Sequence, residues 1–241
     1  MPDVDPFEEL LTAARVDDAV FALRPDYRAA LLAVDGLSHG ASDDDDAALI
    51  LAAESAARRT LRDRSVDQVP HVAAWREAYR AFGAKPQRTR NSVEALMRRA
   101  ETGLPRVNRL TDVYNALSVL HQVPIGGEDL SFYVGAPQLI RASGREPFDT
   151  TAGGKPVVEH PDPGEVVWCD DEGVTCRRWN WRQGRRTQLR DETTSALFIL
   201  DALDPMTDTE LQSVVEDLST HLHRLGPEVR VATRTIGWRV S

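Results

Sequence analysis

The chain has 241 residues, 41% of them hydrophobic and 28% charged, with a net charge of −9. That length buries a sizeable core, and the acidic balance excludes bulk affinity for nucleic acid. Apolar runs such as Ala48 to Ala53 and Ser195 to Leu200 are far too short to span a bilayer.

In chain order, Met1 to Asp5 is acidic and lacks an apolar stretch, so no secretory signal is expected and the location expected is cytoplasmic. Residues 1 to 15 read as a short helix or a loose arm. Ala19 to Leu23 and Tyr27 to Val34 read as two strands joined by Arg-Pro-Asp. Gly36 to Ser42 is a loop. Four aspartates, Asp43 to Asp46, open a helix through Arg64, with Arg58, Arg59, Arg62 and Arg64 at its end, as the helix dipole favours. The acidic run therefore reads as a helix start, not a metal site.

Pro70 begins a helix to Phe82, with Val72, Trp75, Ala78, Tyr79 and Phe82 on one stripe. Asn91 and Ser92 cap the next helix, which Gly103-Leu104-Pro105 ends. Asn108 caps a helix from Arg109 to His121, with Val113, Ala116, Leu117 and Leu120 as its buried face. Pro124 and Gly126-Gly127 stop it. Short strands follow at Leu139–Ala142, Glu165–Asp170, Gly173–Trp181, Thr187–Leu189 and Ala196–Leu200. Gly153-Gly154-Lys155-Pro156 and residues 160 to 164 are loops. A helix over about Thr207 to Leu225 and a strand from Glu228 to Val240 close the chain. Helices in one block and strands in others predict an α+β fold in a single domain, 1–241.

Charge is segregated. Lys85, Arg88, Arg90, Arg98, Arg99, Arg106 and Arg109 face only Glu94 and Glu101, and Arg177 to Arg190 holds six arginines and no acid. Such a field draws a polyanion locally; the arginines could equally be solvated or paired with the abundant acids. In a strand, Arg177, Trp179 and Trp181 would share one face and Arg178, Asn180 and Arg182 the other. Aromatics among arginines suit base stacking and phosphate contact, and the same tryptophans would equally suit a core. Cys169 and Cys176 flank a turn and read as reduced, partly buried thiols, with a disulfide across the turn as the alternative. No Gly-x-Ser-x-Gly is present. Gly153-Gly154-Lys155 lacks the phosphate-loop spacing, and His221 and His223 share no helical face. No metal and no cofactor is expected.

Phe82-Gly83-Ala84-Lys85-Pro86 with Asn91-Ser92-Val93-Glu94-Ala95-Leu96, then Leu104-Pro105-Arg106-Val107-Asn108 with Thr111-Asp112-Val113-Tyr114-Asn115, then Pro124 with Glu128-Asp129, form a set. The set resembles the B3/B4 domain of the phenylalanyl-tRNA synthetase beta subunit, in a stand-alone form, with the likeness running over about 66–203. The resemblance implies a central, mostly antiparallel sheet flanked by helices. It implies binding of the 3′ end of tRNA or aminoacyl-tRNA, with neither DNA nor membrane as partner, and a trans-acting deacylase of misacylated tRNA. A small-molecule (amino acid) binder or interaction protein that kept the fold is the other expectation. Gly126 stands where the synthetase has a histidine. The synthetase's later glutamate falls within Trp181 to Arg186, where no acid stands, and its arginine has only an offset counterpart in Arg106. Candidate catalytic residues are Asn108, Asn115, Glu128 and Asp129. Asn115 could equally brace its helix, and Asp129 cap the next segment. Candidate RNA contacts are Lys85, Arg88, Arg90, Arg106, Arg177, Arg178, Trp179, Asn180, Trp181 and Arg182.

Overall fold

Strand β2 (Arg28–Asp35) and strand β10 (Ala196–Ala202) are near-continuous apolar runs, which is what a sheet covered on both faces requires. In the computed structural model, which describes residues 6–38 and 40–237, they are the central strands of a four-stranded antiparallel sheet. Strand β3 (Ile125–Asp129) pairs with β10 at one edge, and β11 (Arg230–Gly237) with β2 at the other.

Alternation splits the core between the two faces. Leu32, Val34, Phe198 and Leu200 meet helix α6 (Arg109–His121) and helix α7 (Asp208–His223). Leu31, Ala33, Leu197 and Ile199 face helix α2 (Asp18–Leu23), helix α4 (Pro70–Ala81) and a second sheet. That sheet runs β1 (Arg15–Val16), β4 (Gln138–Arg141), β7 (Val166–Cys169), β8 (Val174–Arg177), β9 (Arg182–Gln183), antiparallel except for β1 with β4. Strands β5 (Phe148–Ala152) and β6 (Lys155–Glu159) form a separate hairpin. Helix α1 (Pro6–Ala13), helix α3 (Asp44–Thr60) and helix α5 (Ser92–Arg99) complete the α+β architecture.

The caps fall where sequence places them. Asn91 Oδ1 accepts from Glu94 N–H at 2.8 Å, and Asn108 Oδ1 from Thr111 N–H at 2.9 Å. Asp43 closes a capping box on α3, which ends at Thr60 and not at Arg64.

Other expectations fail. Ala19–Leu23 is helical, because a five-residue apolar run carries no usable period. Pro124-Ile-Gly-Gly starts strand β3 and does more than stop α6. Gly153-Gly154, with φ of 57° and 77°, is a two-residue turn joining two unforeseen strands. Thr187–Leu189 is no strand; Gln188 only bridges Glu128. The strand expected over Gly173–Trp181 stops at Arg177, since Arg178 and Trp179 take left-handed φ of 48° and 66°. The reading of Met1 to Asp5, and residues 238–240 of the last strand, lie outside the described residues. No helix among the described residues is long and apolar enough to cross a membrane. Cys169 and Cys176 are buried free thiols.

Candidate functional site

The left-handed turn after β8 builds one wall of a cavity. Trp179 N–H donates to Val166 O at 2.7 Å, and Trp181 N–H to Arg177 O at 3.1 Å, so the chain doubles back. The Trp179 ring then drops into the core, 5.0 Å from Tyr27 and 5.2 Å from Trp75 between centroids, both edge-on. Ser92 N–H donates to Asn180 O at 3.1 Å and docks the start of α5 on this turn. Between α5, α6, β3, the turn and the end of β10 lies a cavity of about 250 Å3.

Its polar interior has four main members. Glu128, at the end of β3, is 1% exposed and accepts from the Tyr133 hydroxyl. Burial pushes its carboxyl up to about 7, against the opposing pull of that hydroxyl. Asp201 of β10 accepts from Tyr27 Oη at 2.6 Å, Trp168 Nε1 at 3.4 Å and Asn180 Nδ2 at 3.3 Å, and burial pushes it up to about 6. Asn180 is fixed from both ends, since its Oδ1 accepts from Tyr79 Oη at 2.9 Å. Asn115 is buried on α6 and lines the cavity with its amide unbonded by any described residue. Gln183 Nε2 donates to Gly127 O at 2.6 Å. Arg99, exposed, and Arg182, half-buried, stand at the rim.

Of the four candidate catalytic residues, Asn115 and Glu128 line this cavity and Asn108 and Asp129 do not. Asn108 caps α6 and donates from Nδ2 to Leu189 O at 3.2 Å. Asp129 caps the following turn at Ser131 N–H, 2.9 Å, and accepts from Thr193 Oγ1 at 2.7 Å. The two arginine-bearing segments do come together. Arg178 Nη1 donates to Thr89 Oγ1 at 2.5 Å, and a groove beside the cavity is lined by Lys85, Arg88 and Arg178 together with Asp162 and Glu165. Lys85, Arg88 and Arg106 are exposed and form no side-chain hydrogen bond or salt bridge among the described residues, while Arg90 lies 3.8 Å from Glu94.

The window 177–190 is far less basic than its sequence suggests. Arg177 is buried against Glu165 (2.8 Å) and Glu159 (3.1 Å), and Arg178 shares Glu165. Arg185 pairs with Asp149, and Arg186 with Asp170 at 2.6 Å. Trp179 is fully buried and offers no face to a base, and Trp181 already carries Arg178 at 4.5 Å and Arg182 at 5.9 Å from its centroid. The alternating strand faces expected of Arg177 to Arg182 are thus replaced by a turn whose charges are mostly spent within the chain. Sequence reading missed Asp201, Gln183 and Tyr114 in the cavity wall. An aspartate inside the run Ala196–Ala202 was the available signal, because a carboxyl in a buried strand needs partners.

Glu128→Gln isolates one of these groups. A carboxyl raised from 4.5 to about 7 on folding contributes stability below pH 4.5 that is lost as pH rises through about 7. The neutral amide has no such dependence. Relative to the parent, the variant should therefore gain roughly 2–3 kcal/mol between pH 4.5 and 8. Urea unfolding of both proteins at the two ends of that range checks this; a constant difference would contradict the assignment.

Residues 74–224 match the B3/4 domain family model. Every residue lining the cavity falls inside that span. Among solved structures, the chain is similar to an N-terminal fragment of the phenylalanyl-tRNA synthetase beta-subunit from Pyrococcus horikoshii, at 12% identity and a TM-score of 0.44 over 91% of this chain and 50% of that one. The chain thus spans half the length of that fragment. No curated protein matches the sequence. With well over half of its residues covered by the model, the chain belongs to the B3/4 domain family.

Proposed function

We propose that the cavity binds the aminoacylated 3′ end of a tRNA and that the protein hydrolyses misacylated tRNA in trans. The observation that carries this reading is a cavity built wholly from the family-matched segment, with buried carboxyls and amides inside and cationic side chains at its rim. In the reaction, water attacks the ester carbonyl carbon, the bond to the ribose oxygen breaks, and that oxygen takes a proton. The neighbouring ribose hydroxyl assists, so a protein base is not obligatory. Asn115 and Asn180 offer amide donors for the developing oxyanion. Glu128, buried and titrating near neutrality, positions the water or holds the α-amino group. Lys85, Arg88 and Arg182 neutralise phosphates of the flanking strand.

Three such contacts give a plot of log K against log salt a slope of about −2 for a single strand. Arg182→Ala should weaken binding and flatten that slope by about 0.7. Arg182 is the clean position, since replacing Arg178 also strips Glu165 and Thr89 of a partner. A flat salt response in the parent would discard RNA binding. Incubation with a panel of misacylated tRNAs tests hydrolysis: release of one mispaired amino acid is expected, and release of none would leave a binding role alone. A second reading, an amino-acid-binding protein without RNA, is favoured by the internal pairing of Arg177, Arg185 and Arg186.

A further inference from the structure

Glu128 and Asp201 lie in the wall of one cavity, and neither forms a salt bridge among the described residues. Several other buried acids are treated differently, although Asp129 and Asp112, which cap backbone N–H groups outside the cavity, also lack a salt bridge among the described residues. Glu94 holds Arg76 and Arg98, Glu165 holds Arg177, and Asp170 holds Arg186. The donors to Asp201 are a phenol, an indole and an amide, all neutral, and Glu128 has the Tyr133 phenol. A buried carboxylate without a counter-charge is unfavourable, and removing the cation from such a pair is more so. The rim carries the opposite sign. Arg99 forms no salt bridge, and Arg182 is turned outward, donating to Thr151 O at 3.0 Å and lying against Trp181. Neither arginine is placed to neutralise the interior.

We propose that the cavity takes its ligand cation-first: the side-chain ammonium or guanidinium of a basic amino acid enters toward Glu128 and Asp201, which then hold that cation in place of the α-amino group or the water, while the ligand's anionic or phosphate-bearing end stays at Arg99 and Arg182. This rests on the cavity being the binding site, as proposed above, but not on RNA. The same head group comes from a free basic amino acid or from a basic amino acid esterified to an RNA 3′ end.

Calorimetric titration of the full chain with arginine and lysine, against citrulline and norleucine, whose side chains are uncharged, and against tyrosine, reads the preference. Arginine or lysine should bind at least about tenfold more tightly than its uncharged counterpart. Glu128→Gln, which keeps an acceptor for Tyr133, should erase most of that ratio, and Asp201→Asn is the second variant. The comparison with uncharged side chains stands even if a variant does not fold. A parallel arm uses arginyl- and lysyl-esters of a short RNA ending. Tighter binding of the esters assigns the head group to RNA, and binding of the free amino acids alone assigns it to a metabolite; both support the inference. Equal binding of citrulline or norleucine, a preference for tyrosine, or binding of none of these overturns it. A neutral aminoacyl-RNA held tightly would sink the cation alone and leave the RNA reading standing.

Discussion

Gly126→Leu should abolish ligand binding at the cavity, by about a hundredfold or more, and leave the melting temperature nearly unchanged. The two glycines of β3 point to opposite faces, as strand alternation dictates. A side chain at Gly126 would meet nothing nearer than Gln183 Nε2 at 3.7 Å and would grow into the cavity. At Gly127 the added carbon would sit 2.7 Å from Leu189 Cδ1, 2.9 Å from Phe198 Cε1 and 3.0 Å from Tyr114 Cε1. Gly127→Ala is therefore the destabilising counterpart, at about 1–3 kcal/mol from overpacking. Thermal melts and ligand titration of both variants check the contrast. A Gly126→Leu protein that binds like the parent would place the ligand elsewhere.

Arg177→Ala should destabilise the fold by about 3 kcal/mol, because it leaves a buried carboxylate behind. Glu165 is 3% exposed and receives Arg177 Nε and Nη2, both at 2.8 Å. It also accepts Arg178 N–H at 3.2 Å, so the same carboxylate pins the left-handed turn that walls the cavity. Arg178 retains part of the charge balance, which keeps the loss at the lower end. For a chain of this length that is a fall of roughly 6–12 °C in melting temperature. Arg177→Met combined with Glu165→Leu should recover only part of it, since the apolar pair removes the orphaned carboxylate but also the acceptor of Arg178 N–H. A single variant within 1 °C of the parent would contradict this role.

Helix starts were the most legible part of the sequence. Asn91, Asn108 and Thr207 each cap through a side chain, and a cap acts over three residues, inside the reach of local reading. Long-range pairing was not legible. Asp149 with Arg185, Asp170 with Arg186 and Glu165 with Arg177 join residues 12 to 36 positions apart, and their neutralisation of one another depends on strand register. That is why a run of six arginines looked like a binding surface and is mostly internal bracing. The cavity was half visible. Asn115 and Glu128 carry polar groups on segments the family resemblance marks, whereas Asp201 sits in a run whose apolar neighbours read only as core. The turn at Arg178 and Trp179 needed positive φ at two residues that are not glycine, for which no local signal exists.

The proposed function requires that the cavity accept an amino acid carried on RNA. Binding of a charged and an uncharged RNA 3′ end, measured side by side for the parent and Gly126→Leu at about 50 and 200 mM salt, tests that most directly. The expected result is that the parent prefers the charged end, that the preference disappears in Gly126→Leu, and that both proteins keep the same salt slope. Equal affinity of the parent for charged and uncharged ends would contradict the account.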